Sequence, residues 1–325
     1  MKTRQTIVKE LKLNIGEFVS GQYLADISKI SRAAVSKNIA KLIEEGCEIE
    51  AVTKKGYKLL SVPEYSREEI LYSIESNEIG TEVKFYETIG STNDEAKRLA
   101  ELGATNGTVV VAESQVQGKG RLGRSWDNGK GQSVMMSVIL RPNDIAPQNI
   151  QTITLATAVA VLEGITDVCD VEPRIKWPND VLIDGKKICG ILAEINCEAD
   201  RINYLVIGIG VNVNQEIEDF DESIRETATS IYLKTGEKLD RKKIIARILF
   251  HLEQKYSTIV CGKTEGIIED AKKHSATIGK KVKLIATDNV REAFAKDITN
   301  RGTLVVINEE GETEEIFSGE VSIRE

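Results

Sequence analysis

The 325-residue chain has five prolines, two histidines, two tryptophans and five cysteines, and aromatic residues make up only 5% of it. Each scarcity removes a class of function. The cysteines, at 47, 169, 189, 197 and 261, are odd in number and never stand in C-x-x-C spacing, so neither a disulfide framework nor a zinc site is indicated. Neither His251 nor His274 lies beside a Ser or Cys motif, which speaks against a histidine-based triad or a histidine metal cluster. No apolar run approaches the roughly 20 residues that a membrane span needs, and the opening MKTRQTIVKELKL lacks the apolar core of a signal peptide, so a cytoplasmic protein is expected. Chemistry in this chain must rest on Lys, Arg, Asp and amides.

What is present is an ordinary globular composition, 41% hydrophobic and 29% charged, long enough for two or three domains. The net charge of -8 hides an asymmetry: residues 1 to 60 carry 11 Lys+Arg against 7 Asp+Glu, leaving 32 against 44 for the rest. A basic amino-terminal module on an acidic body raises nucleic acid as a partner. There is no low-complexity tract and no internal repeat.

The chain is organised around Ala112 to Trp126, AESQVQGKGRLGRSW. A β-branched run, Thr108 to Val111, feeds Gly118-Lys119-Gly120-Arg121-Leu122-Gly123-Arg124, three glycines and three cations in seven residues. Glycines let backbone N–H groups converge on an anion while Lys and Arg supply charge. The spacing also satisfies G-x-G-x-x-G, but Arg124 to Gly131 is polar and helix-breaking, and Ser133 to Leu140 resumes a strand; the loop is expected to join two strands rather than open a dinucleotide-binding helix. An exposed basic hairpin is the bland alternative.

Residues 3 to 60 are expected to form three helices and a hairpin. Ile7, Val8 and Leu11 face inward on the first helix; Ser20 opens the second; Ser31 caps the third, with Val35, Ile39, Leu42 and Ile43 inward and Gly46 as its stop. Arg32, Ser36, Lys37 and Lys41 point outward, as on a DNA-recognition helix, and Glu48 to Val52 with Gly56 to Leu60 reads as a wing. A helical protein-interaction module remains open. Ser61 to Ile79 is the connector.

Beyond it, a strand at Val83 to Tyr86 leads into Ser91-Thr92-Asn93, where Ser91 or Thr92 can cap a helix through Leu102 or meet a small polar ligand. Ile150 to Ile165 is a broadly apolar helix. Lys176-Trp177-Pro178-Asn179-Asp180 and the turn Asp184-Gly185 lead to the strand Lys187 to Glu194, and Tyr204 to Val213 is a further buried strand. Thr229 to Ile259 turns helical, with Ile244, Ile245, Ile248, Leu249 and Leu252 on one side, and His274 to Glu325 alternates in short strands of a small barrel or sandwich.

Ser91-Thr92-Asn93, Gln115 with Gly118 to Arg124, Lys176 to Asp180, Lys187-Ile188-Cys189-Gly190-Ile191-Leu192 and Gly208-Ile209-Gly210-Val211-Asn212 together resemble, along nearly the full chain, the bacterial biotin–protein ligases that double as biotin operon repressors. The resemblance implies a multidomain α+β protein: a winged helix-turn-helix over 1–63, a mixed-sheet α/β ligase domain like a class II synthetase over 64–273, and a small Src-homology-3-like β-barrel over 274–325. It implies a biotin–[acetyl-CoA-carboxylase] ligase: biotin and ATP give biotinyl-5′-adenylate and pyrophosphate, and a lysine of the biotin carboxyl carrier protein displaces AMP. Catalytic roles would fall on Lys187, Asp180 and Arg121. Biotin would meet Ser91, Thr92, Asn93, Gln115, Gly118, Lys119, Gly120, Arg121, Lys187 and Gly190. The adenylate would meet Lys119, Arg121, Arg124, Trp126, Lys176, Asn179 and Asn212. The protein would fix no metal of its own, Mg²⁺ arriving with ATP near Asp180. Operator DNA and a ligand-promoted homodimer are the other implied partners, with other biotin-dependent carboxylases as further acceptors. Members of the family commonly carry Arg where Lys119 stands, and Lys keeps the charge without the bidentate fork. Three other functions are weighed against it: a lipoate–protein ligase, which shares the adenylation logic but should lack this combination of motifs; a ligand-sensing DNA-binding regulator without catalysis, against which Lys187 and Asp180 speak; and a ligase whose winged helix does not bind DNA, since Glu44, Glu45, Glu48 and Glu50 crowd the wing.

Overall fold

The computed structural model describes residues 3–126, 129, 131–142, 149–198, 201–286, 289–317 and 319–323. They form two compact units, Met1–Ser73 and Ile74–Glu325.

The first unit begins with α1 (Thr3–Leu13), α2 (Gly21–Ser28) and α3 (Arg32–Glu44). Ser20 Oγ accepts from the N–H groups of Gln22 and Tyr23, and Ser31 Oγ accepts from Ala34 N–H, so both expected caps are made. Ile7, Leu11, Leu24, Val35, Ile39 and Leu42 close one core. Ile43, expected inside, is 46% exposed: the next position after Leu42 turns about 100° off the inward stripe. The wing is β1 (Glu48–Val52) paired antiparallel with β2 (Gly56–Ser61). A fourth helix, α4 (Arg67–Ser73), belongs to this unit, because Arg4 Nε lies 2.8 Å from Glu68, Lys12 Nζ 2.7 Å from Glu69, and Ile70 is fully buried. The unit therefore runs past residue 63.

The second unit is built on a seven-stranded sheet of order β3-β4-β5-β9-β8-β7-β6: β3 (Glu82–Tyr86), β4 (Thr108–Ala112), β5 (Ser133–Leu140), β6 (Arg174–Lys176), β7 (Asp180–Ile183), β8 (Lys186–Glu198) and β9 (Arg201–Asn212). Among these strands only β3 and β4 are parallel, joined by the crossover helix α5 (Thr92–Glu101); β4 and β5 are antiparallel. The glycine-rich segment thus links two antiparallel strands, as its polar flanks require. Helix α6 (Ile150–Thr166) is buried nearly all round, since it packs on the sheet and under α8 (Arg241–Val260) and α9 (Glu265–Lys273). A short α7 (Ile231–Thr235) precedes α8. The chain ends in a five-stranded antiparallel sheet of order β13-β12-β11-β10-β14: β10 (Lys281–Ala286), β11 (Asn289–Ile298), β12 (Leu304–Ile307), β13 (Thr313–Ile316) and β14 (Glu320–Ile323). This is the small β-unit expected there, in five antiparallel strands.

Trp177 joins the two sheets. It is 1% exposed, its backbone N–H donates to Thr277 Oγ1 at 3.0 Å, and its indole Nε1–H donates to the Gly302 carbonyl at 2.9 Å. This enclosed tryptophan is thus a joint and not a ligand platform. Trp177→Phe keeps an aromatic ring but leaves that carbonyl buried without its donor, which should lower unfolding stability by about 1–3 kcal/mol. Urea titration measures it, and an unchanged midpoint would contradict the joint.

Candidate active site

The glycine-rich segment folds back on itself. Trp126 N–H donates to Gly118 O at 2.9 Å, Gly120 N–H to Arg124 O at 2.7 Å, and Arg121–Gly123 makes one 3₁₀ turn at the tip. Gly118 has to be glycine, since a Cβ there would stand 2.0 Å from the Trp126 carbonyl oxygen. The return leg delivers the Trp126 indole onto the sheet where Gly190 of β8 and Gly210 of β9 are register partners. A Cβ at Gly210 would lie 2.3 Å from Trp126 Nε1, and one at Gly190 would lie 2.8 Å from Cζ3.

Beside the indole, Lys187 Nζ lies 5.3 Å from the ring centroid and 2.7 Å from Asp180 Oδ1. A register shift between Val181 and Leu182 in the β7–β8 ladder sets these two side chains together. Cys189, two residues further along β8, is fully buried and burial pushes its thiol up, so it is no nucleophile.

A small cavity of about 50 Å³ lies between the loop and the sheet. Ser91, Thr92, Asn93, Gln115, Gly120 and Lys187 are among the residues lining it, with Met135, Met136, Gly208 and Gly210 as its less polar part. Ser91 occupies the N-cap of α5 without a side-chain cap bond, so capping does not account for its hydroxyl. A larger cavity of about 650 Å³ adjoins it on the outer side of the loop, bounded by Arg121, Arg124, Gln151, Thr154, Asn179 and Glu194.

Lys119 and Arg121 of the loop have protein acceptors. Lys119 Nζ lies 2.7 Å from the Asp94 carboxylate. Burial works to raise the Asp94 carboxyl, but the hydrogen bonds and charge of Lys119 and Lys97 win and hold it below the usual range. Arg121 donates to Asn179 Oδ1 at 2.8 Å and to the Gly319 carbonyl at 3.1 Å, so this residue ties the loop to the start of the last strand.

Most of the expected site residues line the two cavities; Asp180, Lys176 and Asn212 do not, and of these Asp180 reaches the site through Lys187. Lys176 lines neither cavity. Asn212 is 3% exposed, donates to Thr229 O at 3.0 Å and accepts from Gln215 Nε2 at 3.2 Å, which places it behind the site. Sequence reasoning missed Ser137, Met135, Met136 and Glu194, and quoted Gly208 and Gly210 in a motif without giving them a role in the site. For the glycines a signal existed: two of them at i and i+2 in the buried strand Tyr204 to Val213 mark a close approach of something to that face. Among the described residues no group of three or more His, Cys, Asp and Glu side chains could hold a metal ion. In the first unit, Arg32, Ser36, Lys37 and Lys41 are all exposed on α3, as a recognition helix requires.

The chain has two tryptophans and Trp177 is enclosed, so a change in intrinsic fluorescence on ligand binding or loop movement reports Trp126. Gly210→Ala should unseat the indole and shift its emission toward that of exposed tryptophan, with loss of ligand binding at the site. An emission spectrum that stays put would show that the indole does not rest on Gly210.

Known proteins place this arrangement. The chain matches the family model of the Biotin/lipoate A/B protein ligase family over residues 85–212, an HTH domain over 3–58 and the Biotin protein ligase C terminal domain over 277–324. It is 38% identical over 308 residues to the bifunctional ligase/repressor BirA of Bacillus subtilis, covering 94% of each chain. To the protein of the same name from Escherichia coli it is 28% identical, over 95% of this chain and 94% of that one. Among solved structures, the biotin protein ligase from Aquifex aeolicus in complex with biotin and ATP superposes with a TM-score of 0.66 at 29% identity, over 75% of this chain and 98% of that chain. The chain belongs to the biotin protein ligases, in the branch of the bifunctional ligase/repressors that carry an amino-terminal helix-turn-helix.

Proposed function

We propose that this protein joins biotin to a lysine of an acceptor protein at the expense of ATP, and that it represses transcription through its winged helix when loaded with biotinyl-5′-adenylate. The observation that carries the ligase half is the Lys187–Asp180 pair, 2.7 Å apart, set at the edge of the Trp126 platform, with Lys187 lining the same cavity as Ser91, Thr92 and Gln115.

In the first step a biotin carboxylate oxygen attacks the α-phosphorus of ATP, a P–O bond to biotin forms and pyrophosphate leaves. Two anions must approach each other, so cations and backbone donors have to offset the charge at the reacting centre. Lys187 can lie between carboxylate and phosphate, Arg121 and Lys119 can close over the adenylate from the loop, and Trp126 can cover it. Mg²⁺ would come with the triphosphate and neutralise phosphate charge, and Asp180, beside Lys187, could help hold it. In the second step an uncharged lysine amine attacks the acyl carbon, the mixed anhydride breaks and AMP leaves. Asp180 would orient Lys187, with which it pairs, and could help hold the incoming amine.

The acceptor is inferred to be the biotin carboxyl carrier protein of acetyl-CoA carboxylase, and the protein is inferred to share the cytoplasm with it; no helix among the described residues is long and apolar enough to cross a membrane. A ligand-ordered loop that favours homodimers would present two recognition helices to a palindromic operator.

Incubation with ATP, Mg²⁺, labelled biotin and a carrier domain tests the ligase. Label should reach the carrier, and Lys187→Ala should lower adenylate formation by at least about 10²-fold, the scale of losing one charge-stabilising donor. A variant as fast as the native enzyme would remove Lys187 from the chemistry. For the repressor half, Lys37→Ala with Lys41→Ala should weaken operator binding and reduce the slope of log K against log salt by about 1–2, one for each lost phosphate contact. An unchanged slope would take these lysines off the DNA.

A further inference from the structure

Behind the Thr92 side of the small cavity, four oxygens are packed with fewer protons than contacts. Asn93 Nδ2 donates to Glu194 Oε2 at 2.8 Å and to the Leu192 carbonyl at 3.3 Å. Both partners can only accept, and Lys97 Nζ at 2.8 Å holds the Glu194 carboxylate in place. The Asn93 amide is therefore fixed with Oδ1 turned inward, where Ser137 Oγ lies 2.6 Å away. Ser137, on β5, is fully buried, and Asn93 and Thr92 are 3% and 4% exposed.

An amide oxygen accepts only, so the one hydroxyl proton of Ser137 is committed to Asn93. Ser137 Oγ is also 2.8 Å from Thr92 Oγ1, and Thr92 Oγ1 is 3.0 Å from Gln115 Oε1. Gln115 Oε1 already receives the Thr92 backbone N–H at 2.7 Å, which fixes that amide too. Two oxygen–oxygen contacts then share the single proton of Thr92. The site is one proton short beside Thr92, at the wall of the cavity, and a ligand N–H entering there would supply it.

We propose that Glu194, acting through Asn93 and Ser137, is a positioning residue that sets this proton pattern and so makes the pocket demand an N–H donor. The inference rests on the biotin ligase function proposed above, in which the donor is a ureido N–H. A glutamine in place of Glu194 can donate as well as accept. It allows the Asn93 amide to turn over and give a proton to Ser137; Ser137 then donates to Thr92 and Thr92 to Gln115. The turn gives up the 3.3 Å contact to the Leu192 carbonyl, but every contact between Asn93, Ser137, Thr92 and Gln115 is filled and the demand for a ligand proton disappears.

The experiment compares steady-state kinetics of the native protein, Glu194→Gln, Ser137→Ala and the double variant Asn93→Asp/Glu194→Gln, with biotin and with biotin methylated on a ureido nitrogen. Glu194→Gln should raise the KM for biotin about tenfold, the effect of one hydrogen bond, with the KM for ATP nearly unchanged, and should discriminate less against the methylated analogue. Ser137→Ala frees the Thr92 proton for Gln115, at the cost of the donor to Asn93 Oδ1, and should likewise weaken the discrimination. In the double variant the new carboxylate accepts from the new amide and can only accept from Ser137. That restores the shortage, so part of the discrimination should return. A general packing defect would raise both KM values together and would not be reversed by a second substitution. Equal biotin KM and equal discrimination in native and Glu194→Gln proteins would overturn the inference, as would a loss that the double variant fails to recover. Absence of biotin binding by the native protein would instead overturn the ligase assignment itself.

Discussion

The site depends on three missing methyl groups. Side chains of a strand stand away from the sheet, so nothing bulky can lie flat on it unless the residues beneath have no Cβ. Gly208 and Gly210 follow each other on one face of β9, and Gly190 pairs with Gly210 from β8. A Cβ at Gly208 would be 2.2 Å from Asn93 Oδ1, as one at Gly210 would be 2.3 Å from the Trp126 indole. This bare trough lets the helix start at Thr92 approach from one side and the return leg of the glycine loop from the other. Glycine weakens a strand, and β9 tolerates it because it is paired along its length with β5 on one side and β8 on the other.

Around the trough, charge is arranged so that it can be reassigned. The chain is acidic overall, yet Lys119, Arg121, Arg124 and Lys187 gather at one place. Lys119 and Asp94 are both nearly half exposed, and a pair of that kind is worth about 0–1 kcal/mol. A phosphate or carboxylate can therefore take the lysine over at small cost. Arg121 makes neutral hydrogen bonds, which an anionic ligand would outcompete. Asp180 and Lys187 are more enclosed, and their pairing holds the lysine beside the Trp126 indole.

The first unit needs none of this. Its core is aliphatic and self-contained, and α4 is fastened to α1 by ion pairs from Arg4 and Lys12. Its exposed cations on α3 stand apart from Lys58, which is committed to Glu50 at 2.6 Å in the wing. A helix-turn-helix unit with its own core can be joined to a ligase without drawing on the ligase's core.

Sequence by itself determined the local structure almost everywhere. Ser20 and Ser31 as caps, the inward stripes of α1 and α8, the strands flanking the glycine loop and the Asp184-Gly185 turn all follow from short-range sterics and periodicity, which the chain carries in neighbouring residues. The glycine-cation loop and the Lys176 to Asp180 motif were legible as chemistry because their composition is costly to explain as structure. What only the tertiary structure decided is which side chains meet. Lys176 and Asp180 are close in sequence, but only Asp180 turns to Lys187, because a register shift in the ladder aims it there. Ser137 sits in an apolar strand that gives no hint of function, and acquires one from Asn93 and Thr92 across 44 and 45 residues of chain. Such partnerships depend on the order of strands in the sheet, a long-range property that no local pattern encodes.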